Sequence, residues 1–210
     1  MHAHSPAAVV IPVRSLEGAK SRLGAVLDAE ERRELVERLL RRTIAAALAT
    51  EGAGRVVVVS PDPEVLAVAA AAGAEGLRQL SAGLNPGLVE ARNALAGEGI
   101  VRLIVLPGDL PAVTAEGLAA LLREADALTT PLVVLAPDRH GRGTNALLLE
   151  PACIIEPDFG GDSRFAHARL AAAAGAAYRE VAHDGLALDI DTPDDLLLAE
   201  ALHPEVLLAG

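Results

Sequence analysis

The chain has 210 residues, of which 51% are hydrophobic but only 1% aromatic, and its formal net charge is −11. This length predicts one domain over residues 1–210, with frayed tails at 1–6 and 205–210. The acidic balance argues against a nucleic-acid partner, because phosphate backbones are bound by basic surfaces. No apolar run is long enough for a membrane span and no signal-peptide pattern is present, which predicts a cytoplasmic protein without a membrane partner. Cys153 has no Cys or His at ligand spacing, so a structural zinc site is not expected.

Short β-branched runs alternate with helical stretches along the chain, a pattern typical of βαβ units. We therefore predict an α/β fold with an open, mainly parallel, twisted sheet that helices cover on both faces. The predicted strands are Val9–Val13, Val56–Val59, Leu103–Leu106, Leu132–Ala136, Ala146–Leu149 and Leu186–Ile190, and Gly141–Asn145 is predicted as a polar loop. Capping residues predict helix starts at Asp28, Asp62, Asn85, Thr114, Asp162 and Thr192.

Three aspartates stand at the ends of predicted strands. Asp109 follows the central strand, whose carboxyl end is where open α/β sheets bind ligands. Asp189 and Asp191 would share one face of the last strand, about 6 to 7 Å apart. Two anions this close are better tolerated with a hard cation between them, which favours Mg²⁺. The alternative is that Asp191 only starts the next helix and Asp189 is solvated.

A basic group follows the first strand. Arg14, Lys20 and Arg22 lie within a short segment of an otherwise acidic chain. Such a group is suited to clamp a triphosphate, with Arg giving bidentate contacts and Lys a point charge. A solvated loop is the alternative. Neither a P-loop nor a dinucleotide-binding fingerprint occurs.

A third group combines glycines with a helix start. Glycines let the backbone approach a ligand closely, and the helix that begins at Ser163 would offer free N–H groups to an anion. His167 lies one helical turn after Ser163, where it could reach a bound carboxylate or phosphate. A purely structural histidine is the alternative.

Several motifs occur together and in a characteristic order along nearly the whole chain. They are Pro12-Val13-Arg14, Ala19–Leu23, Gly83-Leu84-Asn85, Leu106–Pro111, Gly143-Thr144-Asn145, Phe159-Gly160 with Ser163 and His167, and Leu188–Pro193. In this combination the chain resembles the CofC/FbiD guanylyltransferases, which act on 2-phospho-L-lactate or phosphoenolpyruvate in deazaflavin coenzyme biosynthesis.

This resemblance implies a nucleotidyltransferase fold like that of nucleotide-diphospho-sugar transferases and molybdenum-cofactor guanylyltransferases, with GTP as donor and Mg²⁺ as cofactor. It implies that metal is held by Asp109, Asp189 and Asp191. It implies that the phosphorylated acid is bound by Thr144, Gly160 and Ser163, to which we add His167. We assign GTP to Arg14, Lys20, Arg22 and Asn85, and catalysis to Lys20, Arg22 and the three aspartates.

The expected reaction transfers GMP from GTP to phosphoenolpyruvate. 2-Phospho-L-lactate and 3-phosphoglycerate are alternative acceptors, because they differ from phosphoenolpyruvate by little more than unsaturation or a hydroxyl. A second alternative is a non-catalytic nucleotide-binding module of the same fold. The sequence leaves the oligomeric state open, with a homodimer as the working expectation.

Overall fold

A computed structural model describes residues 5–204. The strands are β1 (Ala7–Pro12), β2 (Ala53–Ser60), β3 (Glu75–Arg78), β4 (Leu103–Val105), β5 (Leu132–Pro137), β6 (Thr144–Glu150) and β7 (Ala177–Glu180). The helices are α1 (Ala29–Leu48), α2 (Pro63–Ala71), α3 (Leu84–Gly97), α4 (Ala115–Asp126), α5 (Ser163–Ala173), α6 (Asp184–Ala187) and α7 (Pro193–Leu202), with a short 3-10 helix at Ser21–Ala25. All seven strands form one sheet in the order β3-β2-β1-β4-β6-β5-β7. The predicted α/β class with a mainly parallel sheet is confirmed.

The sheet has a switch point beside its central strand. The chain builds β1, β2 and β3 toward one edge and then crosses to β4, which pairs in parallel with the other side of β1. In open α/β sheets such a reversal leaves a crevice at the carboxyl ends of the strands, where ligands bind. β6 runs antiparallel to β4 and β5, so its first residue, Thr144, lies at this same edge.

Local capping explains where most helices begin. In α1 the Asp28 carboxylate accepts from the Glu31 N–H, and the Glu31 carboxylate accepts from the Asp28 N–H. Thr192 forms the equivalent capping box with Asp195 at α7. Side chains also cap α2 and α4, from Asp62 and Thr114. These four predicted helix starts are confirmed.

Aliphatic side chains fill both faces of the sheet. Helices α1, α2, α4 and α6 pack on one face, and α3 and α5 pack on the other. A third cluster, which contains Leu23, Leu39 and Ile190, joins the 3-10 helix to α1 and the chain before α7. Among residues 5–204, no helix combines the length and the apolar character that a membrane crossing requires.

The predicted strand Leu186–Ile190 is wrong. Residues 184–187 form α6, and the following residues, of which Leu188 has an extended backbone, pair with no described strand of the sheet. The Ile190 N–H donates instead to the Asp109 carbonyl at 3.3 Å. Leu188 and Ile190 alternate with polar residues because they pack into the third cluster, away from the sheet.

Other differences come from edge strands and from strand length. The edge strands β3 and β7 were not predicted, because their side chains are mostly exposed and charged or small. Strand β6 begins at Thr144, so the predicted polar loop is two residues shorter. Asn85 does not cap α3, whose N-cap is Gly83 without a side-chain hydrogen bond. Most of the predicted tails, residues 1–4 and 205–210, lies outside the described residues.

Candidate active site

Two carboxylates and one ammonium group meet at the switch point. Lys20 follows β1, Asp109 follows β4, and Asp191 precedes α7. The Lys20 Nζ donates to Asp109 Oδ2 at 2.5 Å and to Asp191 Oδ1 at 2.8 Å. The Lys20 side chain is only 11% exposed, whereas that of Asp191 is 49% exposed. The structure thus joins residues that the sequence places in two separate groups, and Lys20 bridges the two carboxylates.

The carboxylates near Lys20 outnumber the one ammonium group that they surround. Burial lowers the pKa of Lys20, but the charges of Asp109 and Asp191 outweigh it, so the pKa is raised overall. Asp189 lies close enough for its carboxyl to respond to the others. Burial raises the pKa of Asp189, and repulsion from Asp109 raises it further, while a hydrogen bond from Asn145 opposes the shift. One buried ammonium group therefore faces three carboxylates.

The backbone at Lys20 is held in a conformation that few residues adopt. Its φ is 52° and its ψ is 42°, in the left-handed region, immediately before the 3-10 helix. Such a conformation costs a non-glycine residue about 1–2 kcal/mol. The preceding loop is fixed to α2, because the Ser15 hydroxyl donates to Asp62 at 2.7 Å and the Leu16 N–H donates to it at 3.2 Å. This anchoring maintains the turn that directs Lys20 into the cluster.

The carboxylate oxygens of the cluster suit a hard divalent cation whose remaining coordination positions are filled by other ligands. Asp109 Oδ1 is buried and has no hydrogen-bond partner within residues 5–204. A buried carboxylate oxygen without a partner is unusual and is a suitable ligand for Mg²⁺. In the same part of the chain, no three Asp, Glu, His or Cys side chains converge closely enough to hold a metal by themselves. Mg²⁺ keeps several non-protein oxygens in most sites, so two carboxylates and a polyphosphate suit it. The metal stays a prediction.

One cleft contains the cluster and a second cleft adjoins the first. The first, the central cleft, has a volume of about 450 Å³ and is lined by Lys20, Arg22, Asp109 and Asp191. The second, the lateral cleft, has a volume of about 600 Å³ and shares Arg14 with the first. The Arg22 guanidinium is 74% exposed and approaches Asp191 at 3.9 Å. The predicted basic group therefore lies at the clefts, although Lys20 is turned into the carboxylates.

The lateral cleft contains polar residues that the sequence analysis missed. The Gln79 amide donates to the carbonyls of Ser81 and Gly83, each at 2.7 Å. A Cβ at Gly87 would lie 2.4 Å from the Gln79 side chain, so this glycine leaves room for it. The Ser81 hydroxyl oxygen is buried and makes no well-aligned hydrogen bond in the described chain, and Glu90, which accepts from the Ser81 N–H at 2.7 Å, lies near it. These residues follow β3, and recognising that edge strand would have placed them at the ligand-binding edge.

A β-bulge determines which face of the sheet each of two adjacent side chains meets. Asn145 is an extra residue in the pairing of β6 with β5. If the strand were regular through residues 144–146, Thr144 would face the same side as Ala146, because strand side chains alternate. Instead Asn145 donates to Asp189 Oδ1 at 3.3 Å, and Thr144 contacts His167 on α5. The sequence analysis missed this role of Asn145, and only the strand pairing would have revealed it.

His167 is fully buried and bonded at both ring nitrogens. Its Nδ1 lies 3.0 Å from Thr144 Oγ1, and its Nε2 accepts from the Asp158 N–H at 3.0 Å. The Phe159 ring packs edge-on against it at 5.0 Å. Burial lowers the pKa of His167 to about 4, although the charge of Asp158 opposes this shift. The ring therefore acts inside the protein, and the predicted direct contact with a ligand is absent from this arrangement.

The segment beside His167 forms one wall of the central cleft. Asn85 holds it in place, because its amide donates to the Phe159 carbonyl at 3.0 Å and accepts from the Phe159 N–H at 2.8 Å. Ser163 is buried, and its N–H donates to the Gly160 carbonyl at 3.1 Å. A Cβ at Gly160 would meet nothing within 4 Å. The space beside Gly160 is open, while the predicted contact of Asn85 with GTP stays a prediction.

Solved structures with a similar fold include proteins described as nucleotidyltransferases. A putative nucleotide-diphospho-sugar transferase from Desulfovibrio desulfuricans superposes with a TM-score of 0.77 at 15% identity, over 95% of this chain and 89% of that chain. A CMP:2-keto-3-deoxy-manno-octonic acid synthetase in complex with CTP superposes with a TM-score of 0.65 at 15% identity, over 96% and 99% of the two chains. At this identity the likeness establishes the fold.

Sequence relatives are more specific. The phosphoenolpyruvate guanylyltransferase of Rubrobacter xylanophilus is 45% identical over 192 residues, which cover 91% of this chain and 92% of the relative. That of Sphaerobacter thermophilus is 46% identical over 187 residues, which cover 89% of each chain. Residues 7–205 also match the family described as guanylyl transferase CofC like. The chain therefore belongs to the CofC-like guanylyl transferase family.

Proposed function

We propose that this protein transfers GMP from GTP to phosphoenolpyruvate, which gives enolpyruvyl-diphospho-guanosine and pyrophosphate. The observation that carries the proposal is the bridge from Lys20 to Asp109 and Asp191 at the switch point, in the central cleft, which the lateral cleft adjoins at Arg14. A cation and carboxylates in a cleft that a second cleft adjoins suit the transfer of a charged group from one ligand to another. The names of the relatives from Rubrobacter and Sphaerobacter support this donor and acceptor.

The lateral cleft suits the guanosine part of GTP. Guanine presents both donors and acceptors, and the Ser81 hydroxyl, which makes no well-aligned hydrogen bond in the described chain, can pair with either. Arg14 is exposed where the lateral cleft meets the central one. It can therefore pair with a triphosphate that runs from the lateral cleft into the central cleft. The α-phosphate would then lie beside Lys20.

The wall of the central cleft at Phe159 suits the acceptor. Thr144 contacts His167, whose ring packs against Phe159, Ser163 begins the helix that carries His167, and the open space at Gly160 leaves room for a small ligand. Phosphoenolpyruvate has a phosphate and a carboxylate, and hydroxyl groups donate hydrogen bonds to both. The acceptor phosphate would thereby face the α-phosphorus of GTP.

The chemistry is an in-line displacement at the α-phosphorus. A phosphate oxygen of the acceptor forms a new P–O bond, and the bond from the α-phosphorus to the bridging oxygen breaks, so that pyrophosphate leaves with the electron pair. Phosphate monoesters have a second pKa of about 6, so the attacking oxygen is already deprotonated at neutral pH and no protein base is required. Lys20 would stabilise the charge that develops on the transferring phosphate, and positioning of the two anions would supply much of the rest.

We propose that Asp109, Asp189 and Asp191 hold Mg²⁺ together with phosphate oxygens of the bound nucleotide, because in the described chain the three carboxylates do not converge closely enough to hold the ion by themselves. The metal would neutralise phosphate charge and orient the leaving pyrophosphate. Asp109→Ala should lower turnover by at least about 100-fold, in line with the loss of a main electrostatic group. Circular dichroism would show that the variant is folded, and activity within tenfold of the native protein at saturating Mg²⁺ would refute this assignment.

Pyrophosphate release with GTP and Mg²⁺ tests the reaction itself. Parallel reactions would contain phosphoenolpyruvate, 2-phospho-L-lactate or 3-phosphoglycerate, and CTP would replace GTP as the donor control. We expect release with GTP and phosphoenolpyruvate. Release with another of these acids alone would replace the acceptor, and nucleotide binding without release from any of them would favour a non-catalytic binding module.

A further inference from the structure

We propose that His167 is a positioning residue that acts through Thr144, making the Thr144 hydroxyl a hydrogen-bond donor to the phosphorylated acid. This inference rests on the proposed function, because it concerns the acceptor of that reaction. Nothing in the chemistry of the displacement calls for a histidine, yet this ring is 0% exposed and links the two segments that form the acceptor wall.

The hydrogen bonds of the ring determine where its proton lies. The Asp158 backbone N–H can only donate, so the Nε2 that receives it carries no proton. A neutral imidazole has one N–H, which must then be at Nδ1. This N–H points to Thr144 Oγ1 at 3.0 Å, so the Thr144 oxygen accepts from the ring. The neighbouring Phe159 ring and full burial favour the neutral form.

The hydroxyl of Thr144 consequently has a proton to donate. Within residues 5–204 the only side-chain partner found for this oxygen is His167, which already fills the donor role. Thr144 is 5% exposed, and a buried hydroxyl whose proton lacks an acceptor is costly. An anionic oxygen of the phosphorylated acid would supply the acceptor, so the ring selects an anion at this position over a neutral donor.

The bulge at Asn145 explains why Thr144 is available for this role. It turns Thr144 toward His167 on α5, while Asn145 contacts the carboxylate of Asp189. The open space at Gly160 is two residues along the chain from Asp158, which the same ring bonds, so the ring links Thr144 to the proposed acceptor site. It bonds the strand through Nδ1 and the segment before α5 through Nε2.

Two substitutions separate these bonds. His167→Asn places an amide N–H near the position of Nδ1 and keeps the donor to Thr144, whereas His167→Gln places an amide oxygen near Nε2 and keeps the bond from Asp158. Loss of one hydrogen bond to an anion changes affinity by roughly 10-fold or more. We expect His167→Gln to raise the KM for phosphoenolpyruvate about 10-fold with the KM for GTP unchanged, and His167→Asn to stay within about threefold of native.

A double-variant test distinguishes positioning from general destabilisation. Thr144→Val removes the hydroxyl, so adding His167→Gln to it should cause little further rise in the KM for phosphoenolpyruvate. His183→Asn is the matched control, because it replaces a histidine that caps α6 with another capping residue. Two results would overturn the inference. One is a double variant whose rise in the KM for phosphoenolpyruvate equals the product of the two single rises, and the other is a His167→Gln variant that raises the KM for GTP as much as that for phosphoenolpyruvate.

The ring tautomer gives a readout that does not depend on turnover. In ¹⁵N-labelled native protein, the His167 shifts should show a protonated Nδ1 and a bare Nε2, both before and after phosphoenolpyruvate is added. A protonated Nε2 would overturn the inference even if the enzyme is active. Conversely, absence of turnover with every acceptor would refute the proposed function, while the ring shifts would still decide the orientation of Thr144.

Discussion

Replacing Lys20 by methionine removes the cation between Asp109 and Asp191 while keeping an unbranched side chain of similar length. The native ammonium group is 11% exposed and bonds both carboxylates, so its loss leaves two partly buried anions facing each other. Because both oxygens bond one nitrogen, at 2.5 and 2.8 Å, they lie about 5 Å apart or less.

The expected loss of stability follows from this distance. Two unit charges about 5 Å apart repel by about 3 kcal/mol at an effective dielectric near 20. The 49% exposure of the Asp191 side chain weakens the repulsion, so we expect the free energy of unfolding to fall by about 2–3 kcal/mol. For a chain of this size, each kcal/mol shifts Tm by about 2–4 °C, which predicts a fall of roughly 4–12 °C.

Thermal melting in metal-free buffer at neutral pH measures this fall. The matched control is Arg123→Met, which breaks an ion pair with Glu116 whose side chains are 60% and 72% exposed and which should cost at most about 1 kcal/mol. Added Mg²⁺ should raise the Tm of Lys20→Met more than that of the native protein, because the metal replaces missing charge. A loss no larger than that of the control would show that the bridge does not neutralise the cluster.

Three further predictions concern the clefts and the buried histidine. Gly87→Ala should displace the Gln79 amide and raise the KM for GTP several-fold, whereas Gly97→Ala, where an added Cβ meets nothing within 4 Å, should leave it unchanged in the same pyrophosphate assay. Gly160→Ala should leave Tm within about 1 °C, since the position is open, but raise the KM for phosphoenolpyruvate; an unchanged KM would place the acceptor elsewhere. For His167, whose pKa falls from 6.5 to about 4 on folding, the unfolded chain takes up the proton first as pH falls. Stability should therefore be complete above pH 6.5 and decline toward pH 4, by up to about 3 kcal/mol, and urea unfolding of His167→Asn should lack this part of the pH dependence.

The sequence predicted those elements whose cause is local. Asp28 and Thr192 start helices through contacts within three residues, and the central strand at Leu103 is an apolar run that any buried parallel strand requires. Edge strands lack such a signal, because one side of each is free and polar side chains are tolerated there. The segment after α6 shows the opposite case, a strand-like pattern without a strand. Its apolar and polar residues alternate because the apolar ones pack against α7 and the 3-10 helix.

The candidate site was predictable as a set of residues but not as an arrangement. The motif order identified Lys20 and Asp109, which are 89 positions apart in the chain. The bridge between them depends on the left-handed turn at Lys20, which the sequence does not mark with a glycine or asparagine. The two hydrogen bonds between Asn85 and Phe159 likewise depend on how α3 lies against the segment that precedes α5, which no spacing within either segment reveals.

The bulge at Asn145 shows how one added residue can link two halves of a reaction site. Its carboxamide contacts Asp189 in the charged cluster, and the hydroxyl of Thr144, one residue earlier, contacts the histidine of the acceptor wall. In a regular strand the two side chains would exchange faces, so that a hydroxyl would meet the carboxylate and an amide would meet the ring. Because Thr144 and Asn145 share a peptide unit, a shift of strand β6 would move both contacts together. Under the proposed function, this coupling keeps the acceptor aligned with the charged cluster.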